Sequence, residues 1–151
     1  MTDSVITPQL RELLNKPGER QIVDVEKGRV KFFADAIDDD NPLYTDPEYA
    51  ATTRFNEVIV PPLFLIDNGI APHVDYVTQF NPLTALINGG TEVEYYLPIK
   101  VGDTITAEPM VTNIEEKEGR SGRMIFVTVQ ATYHNQNNEL VCLVKNTFIF
   151  R

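Results

Sequence analysis

The hydrophobic pattern of this chain changes period once, near Gly89-Gly90. Before that point the apolar residues stand at helical spacing. Val30, Phe33, Ala34 and Ile37 fall at i, i+3, i+4 and i+7, which predicts an amphipathic helix starting near Lys27. Leu10, Leu13 and Leu14 predict a shorter helix, opened at Thr7-Pro8 and stopped at Lys16-Pro17-Gly18. Between these two helices Gln21–Glu26 alternates, but is too short to assign. Asp46-Pro47 predicts another short helix, with Asp46 as N-cap and Pro47 at the first position. Val58–Val60 is β-branched and should be extended into Pro61-Pro62. Behind it, Leu63 to about Ile70 is apolar on nearly every face, so we expect a core helix with Pro62 in its first turn. Ala71–Pro82 carries two prolines and polar residues, and reads as a loop.

After Gly89-Gly90 the period is two. Val93, Tyr95 and Leu97 alternate with Glu92, Glu94 and Tyr96, and three longer strands are predicted at Thr104–Glu116, Arg123–His134 and Leu140–Phe150. Glu118-Gly119-Arg120-Ser121-Gly122 and Asn135–Asn138 supply turn chemistry between them. Helices first and four hairpin-connected antiparallel strands afterwards make an α+β domain, whose sheet should wrap the apolar helix. No repeat or linker divides the chain, so residues 1–151 are read as one domain. The aromatics Phe32, Phe33, Phe64, Tyr95 and Tyr96 are most simply core and interface.

Charge removes several function classes. A net charge of −9 is the wrong sign for nucleic acid or for an anionic membrane surface. No apolar run reaches the ~18 residues of a spanning helix, and no signal pattern opens the chain, so cytoplasm is the expected location. One cysteine, Cys142, and two histidines, His73 and His134, leave neither an intrachain disulfide nor a metal cluster. The alternation around Cys142 places it in a strand as a small core residue.

The chemistry-bearing stretch is Asp38–Asp46, DDDNPLYTD, where four carboxylates, one amide and one phenol fall within nine residues. With Phe33-Ala34 before it and Ile59-Val60-Pro61-Pro62 after it, it resembles the MaoC-type, or (R)-specific enoyl, hydratase/dehydratase family. That family's pattern runs roughly F-A-x-x-x-G-D-x-N-P-x-H-x-D, then I-A-H-G or I-A-P-P. Asn88–Ile105 and Lys117–Val129 carry the same resemblance, which extends from about Asp24 onward. It is nearest the dehydratase half of fatty-acid-synthase-type members.

The resemblance implies a hot-dog fold and chemistry on a 2-enoyl or 3-hydroxyacyl thioester of coenzyme A or acyl carrier protein, with no further cofactor. In active members an Asp and a His across the Asn-Pro turn share a water as general base and acid, and a backbone N–H at the central helix polarises the carbonyl. Here the Asp is Asp39, but the His position is Tyr44, a phenol whose ordinary pKa near ~10 suits it poorly to proton transfer at neutral pH. The glycine position is Pro62, which has no N–H.

The implied role is therefore the non-catalytic, tunnel-shaping subunit of a hetero-oligomer whose other MaoC-like chain supplies the Asp/His pair. A homodimer, a self-sufficient hydratase using Asp39 and Tyr44, a thioesterase using Asp67 and an acyl-thioester binding module are the alternatives. Asn41 either orders its own turn or touches substrate. Pro62, Leu63 and Phe64 would line the acyl site. Gly89 and Gly90 either admit backbone to the acyl chain or mark a bulge. Arg120 and Arg123 either meet coenzyme A phosphates or stand solvated at a hairpin tip.

Overall fold

The computed structural model describes residues 4–120 and 122–151; Ser121 of the expected turn lies outside them. Helix α1 (Pro8–Glu12) is capped by the Thr7 side chain, which accepts from the Leu10 N–H. Strand β1 (Gln21–Asp24) and helix α2 (Lys27–Ala36) follow; α2 buries Val30 and Ala34, two members of the predicted stripe. Pro42–Tyr44 forms one 3-10 turn, and α3 (Pro47–Ala51) begins as expected, with Asp46 accepting from the Glu48 and Tyr49 amides.

Helix α4 (Ile66–Thr78) differs from its prediction at both ends. Pro62 to Leu65 is a run of turn rather than helix, so Pro62 precedes the first helical turn instead of occupying it. The helix also continues through Ala71–Thr78, a segment expected to be loop, with Pro72 inside it. A proline removes one backbone bond there, but Gly69, Ile70, His73, Val74 and Val77 bury a continuous face. Tertiary packing outweighs the local cost.

Strands β2 (Leu86–Tyr95), β3 (Thr104–Gly119), β4 (Gly122–His134) and β5 (Leu140–Phe150) join β1 in one antiparallel sheet of order β1-β3-β4-β5-β2. Five strands replace the expected four, because β1 pairs with β3. The predicted hairpin succession fails at β2, which pairs with β5 and forms the far edge. Along β4, Ile125, Val127, Val129, Ala131 and Tyr133 are all buried at alternate positions. With Ile105, Ala107 and Val111 of β3 they enclose α4, which packs on β3 and β4. Cys142 is buried in β5 as expected, and burial pushes its thiol up to about 12. No helix among the described residues is long and apolar enough to cross a membrane.

The registration of α4 on the sheet rests on Tyr133. Its hydroxyl donates to the Ile66 carbonyl at 2.9 Å and accepts from the Gly69 N–H at 3.2 Å. One N–H of the first helical turn and one carbonyl beside it are thereby bonded from the sheet side.

Candidate active site

The acidic loop is ordered by its own side chains. Asp39 Oδ1 accepts from the Asn41 N–H at 3.1 Å, and Asn41 Oδ1 accepts from the Leu43 N–H at 3.0 Å. Asn41 thus does what a turn-ordering amide does. The 3-10 turn that results carries Tyr44 inward until only 9% of it is exposed. Burial, and secondarily the Asp39 carboxylate, hold the Tyr44 phenol above its ordinary range. No hydrogen bond joins the two side chains. Asp39 and Tyr44 are therefore near neighbours, and each effect on the phenol opposes its giving up a proton.

Tyr44, Phe55, Ile59, Pro62, Tyr95 and Leu97 are among the residues lining an apolar groove of about 300 Å³. Leu63, at the turn above it, is half exposed and takes a positive φ of 70°. Its N–H donates to the Tyr95 hydroxyl at 2.8 Å. Phe64 sits deeper, stacked edge-on against Phe33 at 5.5 Å between ring centres. Arg54 is the charged residue on the groove, over the Phe55 ring at 4.8 Å.

The other expected site residues lie elsewhere. Gly89 sits at a β-bulge in β2, where the register slips between Asn88 and Gly90; a Cβ on Gly89 would come within 2.9 Å of the Thr147 carbonyl. Arg123 pairs with Glu116 at 3.1 Å, beside exposed Arg120, at the β3–β4 hairpin tip. Cross-strand register puts Leu86 near that tip, while Tyr95 closes the opposite end of β2, roughly 30 Å away at strand spacing. The fold does not bring these arginines to the groove of the same chain. Asp67 is exposed on the first turn of α4 and is absent from the groove lining. Phe32 is 76% exposed and so is not core.

Sequence reasoning missed Tyr95 as a hydrogen-bond partner of the helix-entrance turn, because nothing local distinguishes it from Val93 or Leu97 on the same strand face. It also missed Arg54, whose position depends on the path from α3 to Val58.

The FAS1-like dehydratase domain region model matches residues 17–144, which is most of the chain. The chain belongs to that family. A protein of Saccharopolyspora erythraea named only UPF0336 is 30% identical over 132 residues, covering 85% of this chain and 81% of its own. Among solved structures, the (R)-hydratase of Aeromonas caviae involved in PHA biosynthesis superposes with a TM-score of 0.68 at 27% identity, over 89% of this chain and 94% of that one. The HadBC (3R-hydroxyacyl-ACP dehydratase) complex of Mycobacterium tuberculosis shares the fold with a TM-score of 0.74 at 18% identity, over 87% and 95%. The chain is thus a hot-dog member of the hydratase/dehydratase family, as the sequence resemblance implies.

Of the two histidines, neither lines this groove. His73 is 6% exposed on α4, and its Nε2 is buried without a partner. Gly18 lies so close that any Cβ there would collide with the imidazole. Burial lowers the affinity of His73 for a proton. The unfolded chain takes that proton near pH ~6.5, and the folded chain only below it. The unfolded state therefore binds more protons in that window. Stability should be fully present above about pH 6.5 and fall as the pH drops through it. Melting curves at pH 8 and pH 5 check this: wild type should lose more stability on acidification than His73→Leu does.

Proposed function

We propose that this chain is the non-catalytic, substrate-holding subunit of an (R)-type 2-enoyl/3-hydroxyacyl thioester hydratase or dehydratase, paired with a hot-dog chain that carries its own Asp/His pair. The substrate would be a coenzyme A or acyl-carrier thioester, with no additional cofactor. One observation carries the reading: beside an apolar groove, a buried Tyr44 whose phenol is held above its ordinary range stands next to Asp39, at the position where the family resemblance implies an imidazole. A phenol held above its ordinary pKa neither accepts nor releases a proton readily at pH 7. Pro62 supports the same conclusion from the other side of the groove, since it offers the carbonyl no donor.

The apolar lining suits a fatty acyl chain, and Arg54 is a cation suited to meet a phosphate of the carrier. Partner pairing is supported by the free β2 edge, an unpaired ladder that soluble proteins normally cover. Leu86, Ile87, Tyr95, Tyr96 and Leu97 on and beyond it are exposed. Glu92 and Glu94 favour a different chain over a second copy. Two copies joined antiparallel about Val93 would set Glu92 of each against Glu94 of the other, a destabilising cross-strand arrangement.

The test is co-expression with a hot-dog chain carrying an intact Asp-x-Asn-Pro-x-His loop. A one-to-one assembly should form and hydrate 2-enoyl thioesters. Its rate should collapse when the partner's histidine is removed, and stay within about twofold under Asp39→Asn in this chain. Loss of the rate under Asp39→Asn would reverse the assignment of roles.

A further inference from the structure

Strand β2 ends the sheet, and its outer ladder meets no other strand among the described residues. All of its residues but Val93 are exposed. Its two faces differ in kind. Thr91, Val93 and Tyr95 stand opposite Asn146, Val144 and Cys142, which are buried, so they share the core face of the sheet. Glu92 and Glu94 alternate with them on the outer face, opposite Lys145 and Leu143. Lys145 is the one cation lining the shallow outer groove, of about 190 Å³, that holds both glutamates. Glu94 also takes up the phenol of Tyr96, a neutral donor that cancels no charge. Two carboxylates against one ammonium leave this edge acidic. An exposed ladder of ten residues is a surface that soluble proteins cover, and covering it without water takes another strand.

We propose that β2 joins, antiparallel and about Val93, the end strand of a second hot-dog chain that carries lysine or arginine opposite Glu92 and Glu94. This rests on the subunit reading above and gives the partner a chemistry. Every ladder of this sheet is antiparallel, and an added antiparallel strand continues it. Centring on Val93 puts the half-buried apolar residue of the strand in the middle of the joint. In that register a second copy opposes Glu92 to Glu94 twice, whereas cations at the two positions turn both repulsions into attractions. The glutamates thus refuse one partner and select another, which is how a specific joint discriminates. Leu86 and Tyr95, exposed on the core face toward the two ends of β2, add apolar contact that does not discriminate.

The experiment uses the full chain and its Glu92→Lys/Glu94→Lys variant, which stands in for a basic partner edge. Each is sedimented alone and in a one-to-one mixture, at about 50 mM and about 500 mM sodium chloride, with amide exchange along β2 as a second readout. At low salt the mixture should pair at least about tenfold more tightly than either form pairs with itself, because the introduced lysines face the wild-type Glu92 and Glu94. High salt should erase most of that preference, since the charges meet at the surface, and the β2 amides should gain protection in the mixture. Equal pairing in the mixture and in the separate forms, no pairing in the mixture, or pairing that leaves the β2 amides unprotected would overturn the inference. If the double variant does not fold, Glu92→Lys decides alone. About Val93 its introduced lysine meets Glu94 of a second copy twice, so it should self-associate at least about tenfold more tightly than wild type, and no gain overturns the inference. The reading beneath fails separately, through hydration of 2-hexenoyl-CoA by the lone wild-type chain.

Discussion

Replacing Tyr44 by histidine and Pro62 by glycine together is expected to raise hydration of a 2-enoyl thioester by this chain alone about ten-thousandfold or more, and either change alone about a hundredfold. The gains follow from what each position lacks. A general acid–base pair contributes roughly 10²–10⁴-fold to such a reaction, and one oxyanion donor roughly 10²–10³-fold. Tyr44→His supplies a group that titrates near neutrality in a space already adjacent to Asp39. A carboxylate beside it would favour the protonated imidazole and set the pair's roles. Pro62→Gly adds a backbone N–H in the groove, next to the Leu63 amide that is bonded to Tyr95. Both replaced residues line the groove, so substrate binding should weaken somewhat, while Phe55, Ile59, Tyr95 and Leu97 keep its apolar character. Steady-state hydration of crotonyl-CoA by the four forms measures this. Activity from Tyr44→His alone, equal to the double variant, would mean that another donor already serves the carbonyl.

The second large effect concerns the helix that carries the site. Gly69→Ala should destabilise the domain by about 3 kcal/mol, a fall in melting temperature of roughly 6–12 °C for a chain of this size. An alanine Cβ would lie 2.8 Å from the Ala107 Cβ and 2.8 Å from the Tyr133 hydroxyl. Neither neighbour yields cheaply. Ala107 is fixed in β3, and the Tyr133 hydroxyl is tied to Ile66 and Gly69. Relief requires α4 to lift from the sheet, which would break the two bonds that register it. Gly28→Ala is the matching control: it lies in α2 with nothing within 4 Å of an added Cβ. There the substitution should be neutral or stabilise by up to ~1 kcal/mol, the ordinary helix preference for alanine. Melting curves of both variants separate close packing from propensity.

How far the sequence reveals these features depends on whether the determining contacts are local. The three long strands were readable because alternate burial along β3, β4 and β5 matches alternate hydrophobicity. Helix α2 and the Asp46 cap were readable for the same reason, since their spacing and capping chemistry are written within a few residues. The end of α4 was not readable. Pro72 and the polar residues around it argue locally for a loop, and only the surface of β3 and β4 beneath it favours a helix. The partner of β2 was also hidden, because pairing with β5 spans some fifty residues and leaves no mark on β2 itself. In the site, Asp39, Asn41, Tyr44 and Pro62 follow from one contiguous motif. The Tyr95–Leu63 bond crosses 32 positions, and no local pattern encodes it.

The account stands on a chemical deficit, the want of a group at Tyr44 able to pass a proton near neutrality. The most direct measurement is turnover of 2-hexenoyl-CoA by the purified wild-type chain, free of any partner, from pH 6 to pH 9. The account predicts a rate indistinguishable from the uncatalysed reaction throughout. A measurable rate that disappears in both Asp39→Asn and Tyr44→Phe would contradict it.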